Sequence, residues 1–130
     1  MPKPKVWGPP LWRKLHEITF DYPDNPTDEQ KRVMINFFKN KVPTMIPCEE
    51  CVENYNKKLM YFPVELNVDS KDELTRWLIH IHNQVNILTG KPIMPVKEAI
   101  ALYERDSNIS NKVIMLLVIL LVFVLLWCRS

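Results

Sequence analysis

Cys48 and Cys51 are two of the three cysteines in this chain, and only Glu49 and Glu50 separate them. A Cys-x-x-Cys pair is typical of a disulfide that opens and closes, and it can also supply two ligands of a metal site. Residues 52–60 read as a helix, so the pair would lie at a helix N-terminus, where free backbone N–H groups favour a thiolate. The two glutamates oppose that ionisation. We interpret the pair as redox-active.

The composition excludes several classes of function. The chain has 130 residues, a formal net charge of +2 and two glycines. It therefore lacks the basic balance of a nucleic-acid-binding domain and the glycines of a dinucleotide or phosphate loop, and we expect no nucleic-acid partner. A basic N-terminal cluster, formed by Lys3, Lys5, Arg13 and Lys14, is interpreted as solvated surface. Three cysteines are too few for a disulfide scaffold.

An uninterrupted apolar run at residues 113–128 predicts a transmembrane helix. Its 16 residues fall just short of the roughly 17–25 that cross a bilayer, so its flanks would have to contribute or the membrane be thin. Lys112 and Arg129 flank the run, and Trp127 suits a membrane interface. A buried core helix, the alternative, would need a larger protein around it. The chain opens without a signal-peptide pattern, so we expect a single-pass protein with its soluble domain in the cytosol.

Residues 1–106 are predicted to form a compact all-α domain. The predicted helices are 7–20, with Pro9 and Pro10 in its opening turn, 27–41, the cysteine helix, 70–89 and 95–104. Thr27 and Ser70 begin capping boxes, and Gly90 suits a helix C-terminus. Residues 107–112 are predicted as a linker, 113–128 as the transmembrane helix and 129–130 as a tail. No strand pattern supports a thioredoxin-like sheet.

The fourth predicted helix carries a polar face. At about 100° per residue, His82, Asn83 and Asn86 fall within an arc of roughly 100° on an otherwise apolar helix. Buried polar side chains need partners, which here could be one another, water or a ligand. The residues alone favour satisfied core polar groups over a binding site, and both alternatives stay open.

Taken together, these features resemble the Erv/ALR family of FAD-linked sulfhydryl oxidases. The matching segments are Trp-Gly-Pro-Pro-Leu-Trp-Arg-Lys-Leu-His at 7–16, Pro-Cys-Glu-Glu-Cys at 47–51, His-Asn-Gln-Val-Asn at 82–86 and Gly-Lys-Pro at 90–92. Their order and spacing agree over about residues 6–104, and the Trp-Gly-Pro form is more similar to the viral branch. The resemblance implies a four-helix bundle with a short fifth helix, which holds FAD beside the disulfide. It also implies that the protein oxidises thiols and reduces O2 to H2O2.

The resemblance also implies particular site residues. It makes Cys48 and Cys51 the catalytic disulfide and places Gly8, Trp12, His16, His82, Asn83, Val85, Asn86 and Lys91 around FAD, with no metal site. It implies a thiol-containing substrate protein, O2 as acceptor and a homodimer. Taken alone, Trp12 is equally well explained by core packing, and His16 by a surface position. If the source is a virus, we expect the protein in a host membrane or in the virion.

The chain departs from the family pattern in two ways. Many members carry a structural disulfide at the positions of Ile79 and Val96, where we expect a packed apolar contact instead. Many also have a shuttle cysteine pair on a flexible tail, and here only Cys128 remains. We therefore expect a separate thiol protein to reach Cys48 directly, and Cys128 to be a free thiol or, less simply, palmitoylated.

Two alternatives come from other classes of protein. Cys48 and Cys51 could join His80 and His82 in a four-ligand zinc site, although residues two apart on a helix do not face the same way. A membrane-anchored structural protein with an inert cysteine pair is the second. A hydrolase with Cys48 as nucleophile leaves Cys51 without a role.

Overall fold

The computed structural model describes residues 3–130, and every regular element in that range is helical. The helices are α1 (Pro4–Phe20), α2 (Asp28–Asn36), α3 (Val42–Met45), α4 (Glu49–Tyr61), α5 (Lys71–Thr89) and α6 (Val96–Arg129). A π-helical turn (Phe37–Lys41) joins α2 to α3, and a 3-10 turn (Val64–Asn67) lies between α4 and α5. Helix α5 is central and packs against α1, α4 and α6. The predicted all-α class is confirmed.

The start of α1 differs from the sequence prediction. The helix begins at Pro4, one turn before the predicted start, and Pro9 and Pro10 lie inside it. Proline favours the first helical position because its φ is already fixed there, and Pro4 takes that place. The prediction that Pro9 and Pro10 form the opening turn is therefore wrong.

Local contacts set the ends of α2 and α5; the predicted capping box is complete at Thr27, whereas at Ser70 only the contact of the hydroxyl is formed. The Thr27 hydroxyl accepts the Gln30 backbone N–H at 3.1 Å, and the Gln30 side chain accepts the Thr27 N–H at 2.8 Å. The Ser70 hydroxyl accepts the Glu73 N–H at 3.1 Å. Gly90 ends α5 in the left-handed conformation at φ 74°, which only glycine adopts without strain.

The π-helical turn after α2 brings Phe38 into the main core. Phe38 is fully buried, together with Leu15, Leu74, Leu78 and Ile81. The Tyr55 hydroxyl of α4 donates to the Phe38 carbonyl at 2.6 Å, which satisfies a buried acceptor in an irregular turn. Burial raises the pKa of Tyr55 well above its ordinary value, so this donor stays protonated. The contact fixes α4, and with it the cysteine pair, to the α2–α3 segment.

Helix α6 continues where the sequence predicts a short helix, 95–104, and a linker, 107–112. It runs unbroken from Val96 to Arg129. No glycine or proline occurs in this stretch, and four serines and asparagines between two strong helical segments do not end a helix. Its second half is long and apolar enough to cross a membrane. The domain boundary at residue 106 stays a prediction.

A smaller apolar cluster joins α5 to the start of α6. Ile79 is 2% exposed and is buried with Ala99 and Tyr103, and Val96 packs against them. These are the two positions at which the resemblance implies a lost disulfide. The expected apolar contact between the segments that carry Ile79 and Val96 is confirmed.

We expect Ile79→Ala to lower the free energy of unfolding by about 2–5 kcal/mol, because it opens a cavity in this cluster. Chemical denaturation of the full chain in detergent, followed by circular dichroism, measures the change. The control is Ile87→Ala on the same helix, where the side chain is 56% exposed and the expected cost is below about 1 kcal/mol. Equal losses in the two variants would contradict a packing role for Ile79.

Candidate functional site

The cysteine pair lies at the N-terminus of α4 and is closed as a disulfide. Cys48 is the N-cap residue, its Cα lies 5.2 Å from that of Cys51, and both residues are half-buried. The backbone N–H of Cys51 donates to the Cys48 sulfur at 3.3 Å. A sulfur in this position is stabilised as a thiolate by the free N–H groups and by the helix dipole. The prediction that the pair sits at a helix start is confirmed.

Four rings from three helices form the most extensive aromatic contact of the bundle. Trp12 of α1 stacks on His82 of α5, with centroids 4.0 Å apart and planes 6° from parallel. His16, one turn after Trp12, stacks on Tyr103 of α6 at 4.0 Å and 12°. The His16 Nε2 and His82 Nδ1 atoms lie 3.0 Å apart and share a hydrogen bond. The structure thus brings together three residues that the resemblance places near a cofactor.

Both histidines in this ring cluster are held neutral. Burial, and secondarily the nearby His82, lowers the pKa of His16 from 6.5 to about 3. Burial, and secondarily the charge of Lys91, lowers the pKa of His82 from 6.5 to about 4. A hydrogen bond between two imidazole nitrogens needs one donor and one acceptor, so neutrality is also what this contact requires. At physiological pH the cluster carries no charge of its own.

The asparagines of α5 pair mainly with the chain that follows it. The Asn83 side chain donates to the Met94 carbonyl at 2.8 Å and accepts the Met94 N–H at 2.9 Å. Asn86, which is buried, donates to the Asn83 side-chain oxygen at 3.3 Å. These contacts hold the 90–95 segment against α5. They favour the satisfied-polar alternative for Asn83, while the second N–H and the side-chain oxygen of Asn86 stay available to a ligand.

Several observations bear on whether a large planar cofactor fits here. The His16 Nδ1 atom is buried and has no hydrogen-bond partner within the described residues. Gly8 is buried, yet a Cβ placed on it would meet nothing within 4 Å outside its own helix turn. Val85 is half-buried on α5, and Lys91 is exposed but close enough to lower the pKa of His82. An unsatisfied polar atom, open space, flat rings and a cation suit a flavin nucleotide.

Sequence reasoning missed Tyr103 and the ion pair next to it. Tyr103 stacks on the His16 ring, and burial raises the pKa of Tyr103 so that the phenol stays neutral. One turn further, the Arg13 guanidinium lies 3.5 Å from the Asp106 carboxylate and links the exposed sides of α1 and α6. The signal for Tyr103 was present in the helical spacing of Val96, Ala99 and Tyr103.

The two histidines of the zinc alternative face different surroundings. His80 is exposed and its ring contacts Phe62 edge-on, whereas His82 stacks on Trp12. No cluster of three or more potential metal-ligating side chains occurs among residues 3–130. The side chains therefore do not assemble the four-ligand site that the alternative requires.

Comparison with known proteins agrees with these features. The model of the Erv1/Alr family matches residues 9–105. A probable FAD-linked sulfhydryl oxidase of Acanthamoeba polyphaga mimivirus is 36% identical over 110 residues, covering 84% of this chain and 76% of that protein. The FAD-linked sulfhydryl oxidase ERV1 of Oryza sativa is 36% identical over 88 residues, and the chain spans 44% of its length.

The fold has solved counterparts as well. The FAD binding domain of Erv1 from Saccharomyces cerevisiae superposes with a TM-score of 0.74 at 28% identity, covering 81% of this chain and 97% of that structure. The yeast Erv1 core gives a TM-score of 0.72 at 30% identity. Since the family model spans about three quarters of the chain and both the viral relative and the solved folds agree with it, this chain belongs to the Erv1/Alr family.

Proposed function

We propose that this chain is an FAD-linked sulfhydryl oxidase that makes disulfide bonds in a thiol-containing partner protein through Cys48 and Cys51. The observation that carries the proposal is the closed Cys48–Cys51 disulfide at the N-terminus of α4, in a chain that belongs to the Erv1/Alr family. The overall reaction takes two thiols and O2 to a disulfide and H2O2. The bound FAD supplies two-electron transfer from the enzyme dithiol to O2.

The protein's own chemistry is thiol–disulfide exchange. A substrate thiolate attacks the Cys48 sulfur, a mixed disulfide forms, and the electron pair of the broken bond leaves on Cys51. A second substrate thiolate then attacks the substrate sulfur of the mixed disulfide and releases Cys48 as a thiolate. The substrate has lost two electrons and two protons, and the enzyme holds two reduced cysteines.

The start of α4 favours the second of these steps. Cys48 is its leaving group, and its sulfur already accepts the Cys51 N–H at the positive end of the helix dipole. A stabilised thiolate leaves faster. Glu49 and Glu50, both exposed in the first turn, oppose this effect and keep the pair from being a very strong oxidant.

The ring cluster and its neighbours are the proposed holders of FAD. Trp12 and His82 offer flat faces, the unsatisfied Nδ1 of His16 offers a hydrogen-bonding atom, and Lys91 offers a charge to phosphate. Gly8 leaves space for close approach, and Asn83, Val85 and Asn86 line the neighbouring turns of α5. These roles rest on the chemistry of the side chains and on the family.

The setting of the enzyme is also proposed. The apolar half of α6 anchors the chain as a single-pass membrane protein, with the redox domain on the cytosolic side. The mimivirus relative makes a viral source natural, in which case the anchor would lie in a host membrane or the virion. Cys128 is free and exposed at the far end of that helix, away from any exchange partner in its own chain. A homodimer stays a prediction from the family.

We expect Cys51→Ser to retain bound flavin but to lose turnover with dithiothreitol by at least about 10³-fold, because the variant has no disulfide to exchange. Oxygen uptake by the detergent-solubilised full chain measures turnover, and visible absorbance measures flavin. Cys128→Ser, which removes the free thiol, is the control and should keep normal uptake. Unimpaired uptake by Cys51→Ser would end the proposal.

His82→Ala should weaken flavin retention about tenfold, since it removes one stacked ring and one hydrogen bond. The ratio of flavin to protein absorbance after gel filtration reports the loss, and added FAD should restore the colour. His80→Ala, which removes an exposed imidazole of the same helix, is the matched control. A His82→Ala protein that keeps its full yellow colour contradicts this placement.

The depressed pKa values of His16 and His82 predict a dependence of stability on pH. Below pH 6.5 the unfolded chain binds protons at both imidazoles, whereas the folded chain stays neutral until about pH 4 and about pH 3. The free energy of unfolding therefore falls as the pH is lowered through this window, by up to about 1.4 kcal/mol per pH unit for each histidine.

Denaturation curves between pH 6.5 and 5 test this dependence above the range in which most carboxylates titrate. His16→Phe keeps a ring against Tyr103 and should remove about half of the slope. His80→Gln serves as the control and should keep the slope of the parent. A His16→Phe slope equal to that of the parent would contradict the proposed neutral pair.

A further inference from the structure

We propose that the N-terminal end of α1 lies on the bilayer surface, where Lys3, Lys5 and Lys112 bind the headgroups of anionic phospholipids. The inference rests on the proposed membrane anchoring and goes beyond it, since an anchor on a flexible linker would leave the domain free to tumble. Three observations carry it: the continuity of α6, the antiparallel register of α1 against α6, and the charge of the end that this register brings to the membrane.

Helix α6 leaves little room between the redox domain and the lipid. Ser107 is 5% exposed and is the last buried residue of the helix, and the apolar run begins at Val113. Six residues of α-helix span about 9 Å. The headgroup region of one leaflet is about 5–8 Å thick, so a domain that ends at Ser107 sits almost directly on it. A continuous helix also holds the domain in one orientation.

The contacts between α1 and α6 show which end of α1 faces the membrane. His16 stacks on Tyr103, Arg13 pairs with Asp106, and Phe20 packs against the cluster formed by Ile79, Ala99 and Tyr103. Numbers fall along α1 as they rise along α6, so the two helices are antiparallel. Each helix advances by about 1.5 Å per residue, so equal numbers of residues along α1 and α6 cover equal distances.

Seven residues beyond the Arg13–Asp106 pair, this register brings Val6 to the level of Val113, where the apolar run starts. Lys5 and Lys3 lie at the level of Val113 or slightly further toward the membrane. Both lysines are exposed, and Val6 is 66% exposed. The first turns of α1 are thus placed at the membrane boundary by the packing of the domain itself.

The charge of this end suits an anionic lipid surface. Between Lys3 and His16 there is no acidic residue, and residues 107–112 contain Lys112 and no acid. Arg13 already pairs with Asp106, whereas Lys3, Lys5 and Lys112 form no ion pair within residues 3–130. Each lysine near an anionic membrane surface strengthens association about fivefold, so three together act strongly.

The end of α5 adds apolar contact area toward the same end of the domain. The Tyr22 hydroxyl donates to the Val68 carbonyl just before α5, and His16 meets His82, so α5 is also antiparallel to α1. Its C-terminal residues Ile87 and Leu88 therefore lie toward the N-terminal end of α1, and they are 56% and 54% exposed. Exposed apolar side chains beside lysines are typical of surfaces that settle into the headgroup layer.

The test places one fluorophore at each end of the domain in the full chain. In a Cys128→Ser background, Val6→Cys is labelled without reductant, so that the Cys48–Cys51 disulfide does not react. The matched label is Lys71→Cys at the start of α5, about 30 Å further from the membrane along the bundle. Both proteins are reconstituted into phosphatidylcholine vesicles, with or without phosphatidylserine, that carry a headgroup spin label as quencher.

We expect quenching of the Val6→Cys label to exceed that of the Lys71→Cys label at least fivefold and to rise when phosphatidylserine is added. In the triple variant Lys3→Gln/Lys5→Gln/Lys112→Gln, the increase in quenching on addition of phosphatidylserine should be lost. The control triple variant Lys41→Gln/Lys57→Gln/Lys97→Gln removes the same charge from exposed lysines elsewhere. It should keep the increase in quenching on addition of phosphatidylserine.

Equal quenching at the two positions, or no response to phosphatidylserine, would overturn the inference. Chain that fails to float with the vesicles would overturn it through the anchoring on which it rests. Oxidation of dithiothreitol by the same vesicles is measured in parallel. It separates a failure of the membrane orientation from a failure of the proposed oxidase activity.

Discussion

Four rings, those of Trp12, His16, His82 and Tyr103, connect α1, α5 and α6 at the centre of the bundle. Burying two imidazoles stabilises a protein only if they stay neutral and find partners, and here they share a hydrogen bond and stack on aromatic neighbours. This contact sets the register of the three helices. The same register forms the Arg13–Asp106 pair on one side of the four rings and the Ile79 cluster on the other.

The redox pair is held by a different part of the same core. Tyr55 ties α4 to the π-helical turn through a buried hydrogen bond, and Trp77 of α5 donates to the Phe62 carbonyl at the end of α4. Cys48 and Cys51 therefore start a helix that is fixed at its middle and at its end, while their own turn is half-buried and accessible to a thiol. A rigid support with an accessible first turn is what exchange with a separate protein requires.

The same helix that completes the ring cluster also enters the proposed membrane span. Because α6 has no break between Tyr103 and Val113, the packing around His16 also fixes the direction in which the apolar half of α6 leaves the bundle. Ile79 packs against the start of this helix, at the positions where the resemblance implies a lost disulfide. In this chain, apolar packing rather than a covalent bridge joins the proposed cofactor helix to the anchor.

The amino-acid sequence by itself determined the local features: the caps at Thr27 and Ser70, the left-handed Gly90, the Cys48–Cys51 pair at a helix start and the apolar run. Each depends on residues within about four positions of one another, or on composition alone, so spacing is sufficient to predict it. The resemblance of four short motifs extended this to the fold class and to the cofactor residues, whose roles stay predictions.

Only the tertiary structure decided which distant side chains meet. In the sequence, 66 residues separate His16 from His82, and a further 21 separate His82 from Tyr103. Periodicity within one helix does not specify how such distant residues align. The pairing of Asn83 with Met94 and the π-helical turn at Phe37–Lys41 depend in the same way on packing between elements. The sequence did not predict that α6 is continuous, because the polar residues at 107–112 resemble a linker. Helix formation is cooperative, so the strongly helical segments on both sides extend the helix through them.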